Sequence, residues 1–458
     1  MLKKIVIVLS IFTCVCSLQA QVWTRLLDSV PGFFQVTTLV KDTVSNVLYL
    51  GGEINAANNK VSNGVFKYNG VSFDPLGSGL DDDQNFTLVK SLAMFQNKLY
   101  AFGTFHKTGP YWCNYIGRWN GTTWDTVNFK PNKPVGWNDV YNNELYISGA
   151  FDTIAGQPIK LVAKFDGTNW HDLSFPFANM TGAIKVYKNT VYLASYTGVW
   201  QYSNSTWSHL ADCGGDIYRA VFGMTEIDGL LYFYGRFNSL GGVTSKGIVA
   251  FDGVKWYGLG QGISYSGYEV INNVQKIDGK IYITGNFENI EGIGNSTISP
   301  NENTNFAVLD SNYWCIQSPA FDNAAFGVVK YNNDLHIYGA FTKCGLDTIF
   351  GFAKWNGGNS TVACSNTFSV TNTYVGLKEI SVSDNIKIYP NPTLSIINII
   401  DEQNQLQNST ILIKNYLGEL VFNSPFTSQI NLSSLSTGMY FLTLQNGDYS
   451  STVKVIKQ

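Results

Sequence analysis

The sequence predicts an all-β protein: a seven-bladed β-propeller closed by its N-terminal strand, followed by a small C-terminal β-sandwich. Three observations predict it. A strand-like Leu-Tyr-x-x-Gly phrase recurs along the chain, each recurrence lies in a unit of four short alternating segments, and the final stretch alternates without joining the repeat. Composition agrees, with aromatics at 14%, charged residues at only 14% and glycine at 44 of 458, as in Gly-punctuated strands rather than coiled coils or charged disorder. A net charge of −3 and the absence of a basic run after Lys4 exclude an electrostatic case for nucleic acid.

Residues 1–20 read as a secretory signal peptide. Lys3 and Lys4 precede an apolar run from Ile5 to Val15, and Ser17, Leu18, Gln19 and Ala20 form the cleavage region. The run is shorter than the roughly 20 residues a membrane anchor needs, so no transmembrane anchor is expected. Of the cysteines left after processing, Cys344 and Cys364 are a candidate disulfide in an oxidising compartment. Neither these nor the scattered histidines have metal-ligand spacing, and no cofactor is implied.

Residues 21–358 carry the repeats. The phrase begins at Leu48, Leu99, Leu145, Val191, Leu231, Ile281 and Leu335, at spacings of 51, 46, 46, 40, 50 and 54, and the fourth copy lacks its glycine. Most copies are followed by an aromatic, Asn or Asp, Gly, and then Trp or Phe, as in Phe165-Asp166-Gly167 to Trp170. Four strands per 40 to 54 residues is the period of a propeller blade, and the Asn-Asn, Asp-Gly and Asn-Gly pairs suit tight hairpins. The seventh unit ends at Gly358 without its Trp, whereas Val22-Trp23-Thr24-Arg25-Leu26 has the fourth-strand pattern with no unit before it. The N-terminal strand is therefore expected to complete the seventh unit, with Thr361 to Cys364 as the alternative. These units resemble divergent kelch and galactose-oxidase-type repeats, which implies a propeller but transfers no activity.

Residues 359–384, rich in Ser, Thr, Asn and Val, read as a linker, and residues 385–458 as a small all-β module of Ig-like sandwich form. The succession Tyr389-Pro390-Asn391-Pro392, a turn at Gly418, Leu432-Ser433-Ser434-Leu435 leading to Gly438 and Tyr440, and a Lys-rich last strand resembles the C-terminal sorting domain of type IX secretion cargo. The resemblance implies export through the periplasm, recognition by the outer-membrane secretion machinery, and tail removal with release or surface anchoring.

Function has to be argued from sites. The repeated tyrosines and tryptophans are expected to pack between sheets. The Asp-Gly-x-x-Trp phrases lack the residue that a sialidase Asp-box places between Asp and Gly, and the chain has only four arginines, Arg25, Arg118, Arg219 and Arg236. No nucleophile elbow or phosphate-cradling loop occurs, and the Asp81-Asp82-Asp83 run reads as a solvated loop rather than a calcium site. No catalytic residue is therefore assigned. Candidate binding residues are the aromatics of polar loops on the face around the central channel: Tyr111, Trp112, Trp137, Tyr265 and Tyr268. Arg219 and Glu269 are candidates at the channel rim. The expected activity is non-enzymatic binding of a glycan or a surface protein. The alternatives are a polysaccharide-acting enzyme using acids such as Asp322 or Glu269, or a structural surface protein.

Overall fold

The computed structural model describes residues 23–28, 35–81, 87–125, 129–177, 181–195, 198–214, 220–263, 269–290, 293–294, 304–310, 313–318, 320–357, 361–364, 378–379, 386–401, 409–415, 419–446 and 449–458. The regular structure of these residues is β throughout. The repeats form seven antiparallel sheets spanning residues 35–75, 89–125, 135–172, 181–211, 220–258, 270–318 and 325–355, here numbered one to seven, each running in chain order from its first strand outward. Trp23–Arg25 supplies the fourth strand of sheet seven, with Trp23 opposite Trp355. Thr361–Cys364 instead adds a fifth strand to sheet six, where Cys364 stands opposite Cys315.

The fold expectation is corrected by this topology. No sheet closes on itself, and the sheets remain separate hydrogen-bonded units, so the protein is an all-β assembly of many small antiparallel sheets and not the closed seven-bladed propeller that the repeats suggest. A sequence period reports strand order inside a unit, because turn chemistry and alternation are local. It carries no information on closure between units. The candidate disulfide is corrected too: Cys344 is buried and forms no disulfide, and Cys315 is the disulfide-bonded cysteine.

The recurring phrase has a physical explanation at each position. Its strand is buried on both faces, as in Val47–Glu53, where every residue is buried, so it reads as a continuous apolar run rather than an alternating one. Its glycine is a close-approach position. A Cβ at Gly52, Gly103, Gly235, Gly285 or Gly339 would lie 2.0 to 2.4 Å from a carbonyl oxygen of the neighbouring segment. The turns between first and second strands use paired positive φ values, such as Asn142 and Asn143 or Asp278 and Gly279, as tight hairpins require. At the next hairpin the Asn or Asp side chain caps the turn. Asp166 Oδ1 accepts from the backbone N–H of Thr168 and Asn169, and Asp252 Oδ1 from those of Val254 and Lys255, all at 2.7 Å.

Between second and third strands most units insert a two-stranded hairpin, for example Lys107–Thr108 with Tyr111–Trp112 and Lys343–Cys344 with Asp347–Thr348. These hairpins stitch neighbouring sheets together, since the segment leaving one sheet bridges to the next hairpin at Asp81 with Lys107, Ile263 with Ile290, and Phe321 with Cys344. Between the sheets lie aromatic clusters. Trp23 packs 5.0 Å from Trp355, 5.5 Å from Phe321 and 5.9 Å from Phe306. Sheets seven and one are also in contact, where the Tyr331 hydroxyl donates to the Asn46 carbonyl at 2.8 Å.

The tail has two sheets. Ile386–Tyr389, Ile396–Asp401 and Gln429–Asn431 form one, and the other contains Thr410–Asn415, Leu420–Pro425, Gly438–Asn446, Tyr449–Lys457 and a short parallel strand, Lys378–Glu379. They share one apolar cluster that includes Ile397, Ile399, Ile411, Ile413, Leu442 and Val455. The stretch expected as a linker thus contains two short strands, Thr361–Cys364 and Lys378–Glu379.

Two outcomes follow from this architecture. Trp23→Ala removes a buried indole from three aromatic neighbours and is expected to cost about 3 to 5 kcal/mol in urea denaturation; a loss under about 1 kcal/mol would show that the N-terminal strand is dispensable. At Asp166 the His171 side-chain hydrogen bond and the turn amides hold the pKa down to about 2. Its folded pKa is below its unfolded one, so its contribution is present above the ordinary carboxylate range and is lost as pH falls toward about 2. NMR titration of the Asp166 carboxyl is expected to give a midpoint near 2, rising toward the ordinary 3.8 in His171→Ala.

Candidate functional site

The expected binding loop 108–114 contains a hairpin with a fixed base. The Asp81 amide donates to the Lys107 carbonyl at 2.8 Å and the Lys107 amide to the Asp81 carbonyl at 2.9 Å; Cys113, 3% exposed, donates its amide to His106 at 2.8 Å. Burial pushes the Cys113 thiol up to about 12, so it stays a neutral apolar plug. From this base Tyr111 and Trp112 project at 63% and 54% exposure, and the Lys107 ammonium lies 4.4 Å from the Trp112 ring centre. Large aromatics this exposed are uncommon in folded chains unless they meet a partner.

The other predicted binding residues do not gather around this hairpin. Trp137 is half-buried in the first strand of sheet three, opposite Ser148, with Lys90 6.0 Å from its ring, so it belongs to a strand rather than a loop. Glu269 is 5% exposed, and its Oε1 accepts from the Glu288 backbone N–H at 3.2 Å. Its burial makes it a tie between segments rather than a rim acid. Asp322 is similarly used: its carboxylate accepts from the Thr342 amide at 2.7 Å, the Thr342 hydroxyl at 2.6 Å and the Lys343 amide at 2.9 Å. Arg219, Tyr265, Tyr268, Asp82 and Asp83 lie outside the described residues, as does Gly418 of the tail.

Sequence reasoning missed the pair of buried Asp139 and half-buried Lys185, which joins sheets three and four at 2.7 Å. Desolvation raises the Asp139 pKa despite that lysine and a 2.8 Å bond from the Val186 amide. It also missed a 670 Å³ cleft between sheets four and five, lined by His209, Asp212, Lys255 and Trp256. The Trp256 indole offers no open face there: the Gly241 backbone lies against it so closely that a Cβ would fall 2.4 Å from the ring, and Phe251 is 4.5 Å away on centroids. Among the described residues no cluster of His, Cys, Asp and Glu is suited to hold a metal ion.

In the tail, the predicted motif residues converge on the C-terminal strand. Asn391 Oδ1 accepts from the Ile456 amide at 2.9 Å, the Thr393 amide donates to the Ile456 carbonyl at 2.8 Å, and the Gln458 amide donates to the Thr393 carbonyl at 2.8 Å. Tyr389 remains exposed beside Pro390 and Pro392. Gly438 stands opposite Lys457, and the buried Tyr440 donates its hydroxyl to the Ser436 carbonyl at 2.7 Å. The Tyr-Pro-Asn-Pro turn and the last strand, 65 residues apart, are therefore one structural unit.

Comparison with known proteins agrees with this geometry. Residues 387–458 match the family described as secretion system C-terminal sorting domain. The protein is thus an exported one bearing a type IX secretion sorting domain, and among the described residues no helix is long and apolar enough to cross a membrane. No curated protein matches. Among solved structures, the extracellular domain of a B. thetaiotaomicron protein described as a one-component system is 10% identical, with a TM-score of 0.46. The match covers 96% of this chain and 58% of that one, so the chain spans little more than half the length of this neighbour. The computationally designed Ika8 protein is 10% identical at a TM-score of 0.43, covering 72% and 99%. The extracellular domain of a B. thetaiotaomicron hybrid two-component system is 12% identical at 0.43, covering 95% and 57%. Likeness at this level carries no argument about fold or function.

The convergence on the last strand is testable without any partner. Asn391→Ala removes the acceptor for the Ile456 amide, and hydrogen exchange at that amide is expected to accelerate by about tenfold, the equivalent of one lost hydrogen bond. Unchanged protection would mean that the motif does not hold the strand.

Proposed function

We propose that the protein is a non-enzymatic carbohydrate-binding module delivered by its sorting domain, and that it grips glycan through the Lys107–Trp112 hairpin. The observation that carries this reading is the pair of exposed rings, Tyr111 and Trp112, on a backbone pinned by Asp81 and Cys113. A sugar ring presents apolar C–H faces and polar edges. An indole can stack on the first while the Tyr111 hydroxyl and Lys107 ammonium address the second. A rigid base lowers the ordering cost of binding, and because the rings are already exposed, binding disrupts no core. The carboxylates Asp322 and Glu269 are engaged with backbone amides, which weighs against the hydrolase alternative built on them.

The test is glycan-array binding by the secreted chain, followed by calorimetry on the strongest hit. Trp112→Ala and Tyr111→Ala are each expected to weaken binding by about tenfold or more while changing stability by no more than about 0.5 kcal/mol. Glycan binding that survives the double substitution would sink the assignment of the hairpin, and the absence of any hit would sink the carbohydrate reading itself.

A further inference from the structure

The first strand of every repeat sheet carries a register shift near its start. In all seven the residue just after it faces a partner on the second strand, giving Thr38–Gly51, Ser91–Phe102, Trp137–Ser148, Ile184–Leu193, Gly223–Tyr234, Asn273–Thr284 and Gly327–Tyr338. In four of these pairs a large residue on one side is met by a small one on the other, as close packing favours. In sheets five and seven the solution is a tyrosine laid across a glycine: a Cβ at Gly223 would meet the Tyr234 hydroxyl at 2.4 Å, and one at Gly327 the Tyr338 hydroxyl at 2.2 Å. Sheet six, between them, has the one pair that is polar on both sides.

In the sheet-six pair two polar atoms, Asn273 Oδ1 and Thr284 Oγ1, lack hydrogen-bond partners among the described residues. Tyr234 and Tyr338 are only 7% and 8% exposed. Burial raises both pKa values, so both hydroxyls stay protonated donors, and the first strand of sheet six lies in contact with the first strands of sheets five and seven. Thr284 is fully buried, and its Oγ1, like Asn273 Oδ1, has no hydrogen-bond partner. Buried polar atoms are normally satisfied, and an exception calls for a cause. Immediately before the two glycines in the chain stand Phe222, 43% exposed, and the half-buried Phe326.

We infer that Tyr234, Tyr338, Asn273 and Thr284 form an interior recognition site for a small uncharged polyhydroxylated ligand of the monosaccharide class, with Phe222 as the ring at its entrance. Hydroxyl donors beside an amide acceptor and an aromatic face match a neutral sugar, which both gives and accepts hydrogen bonds. A charged ligand would meet no opposite charge among these five residues. The site is separate from the hairpin and does not depend on it.

The experiment is thermal shift and calorimetry on the full secreted chain with glucose, galactose, mannose and N-acetylglucosamine, each tested alone. At least one is expected to raise the melting temperature of the wild type and, equally, of Trp112→Ala, which separates this site from the hairpin. The double variant Tyr234→Phe/Tyr338→Phe is expected to lose binding by about tenfold or more. Without sugar it should melt no lower than the wild type, because each ring keeps its place over its glycine and only a hydroxyl is removed. Thr284→Val gives an independent reading should the double variant fail to fold: weaker binding supports the site and unchanged binding overturns it. No shift with any of the four sugars, retained binding in the folded double variant, or a sugar-soaked crystal with only water at these four groups would each overturn the inference.

Discussion

Burial of both faces along the second strand of the repeat sheets is the constraint on which the rest of the repeat region rests. A four-stranded antiparallel sheet with one solvated face can alternate apolar and polar residues, but these second strands do not alternate; Val47–Glu53 and Thr190–Ser195 are buried almost end to end. Such a sheet cannot hold its strands in water without neighbours on each side. The neighbours are supplied by the chain itself, and the aromatic clusters mark where they meet: Phe165 lies 6.1 Å from Phe95 in the preceding sheet, and Tyr192 lies 6.1 Å from Phe251 in the following one. The same requirement explains the glycine at the end of the phrase, where the second strand meets the backbone leading into the first at a distance that leaves no room for a Cβ.

The sequence was informative wherever a residue's role is local. Strand order in each unit, the hairpin turns and the pairing of the N-terminal strand with the last repeat could all be read, because Asn-Asn and Asp-Gly pairs have conformations of their own and Trp23 carries a fourth-strand pattern. Reading failed where the role depends on what lies across a gap. The fourth-strand pattern at Trp23 leads one to expect a closed ring, yet no sheet closes. Thr361–Cys364 could be recognised as strand-like, but not that its partner would be the outer strand of sheet six. Glu269 looked like a rim acid because a single polar residue at a strand start carries no mark of its own burial; only the Glu288 amide opposite it reveals a tie.

The same division applies to function. The tail was legible because its motif residues act on one another: Asn391 and Thr393 hold the strand that ends the chain, so turn and strand must occur together and their joint presence is diagnostic. A ligand-binding surface imposes no such internal agreement. Of the aromatics singled out from loops, Trp112 is presented to solvent while Trp137 is built into a strand, and the two differ only in their surroundings, which composition does not encode.

The Tyr-over-Gly pairs show how a repeat can acquire a site without a change of fold. Each sheet needs its cross-strand volume filled after the register shift, and Phe102 over Ser91 meets that need with an apolar ring. Sheets five and seven meet it with tyrosine, adding a hydroxyl that packing does not require, and sheet six with Asn273 and Thr284, which leave polar atoms without partners among the described residues. Phenylalanine would fill the same volume over Gly223 and Gly327 without burying a polar atom, so packing alone gives no preference for tyrosine. What separates the hydroxyls from the phenyl rings that could replace them is the capacity to hydrogen-bond something that is not part of the chain.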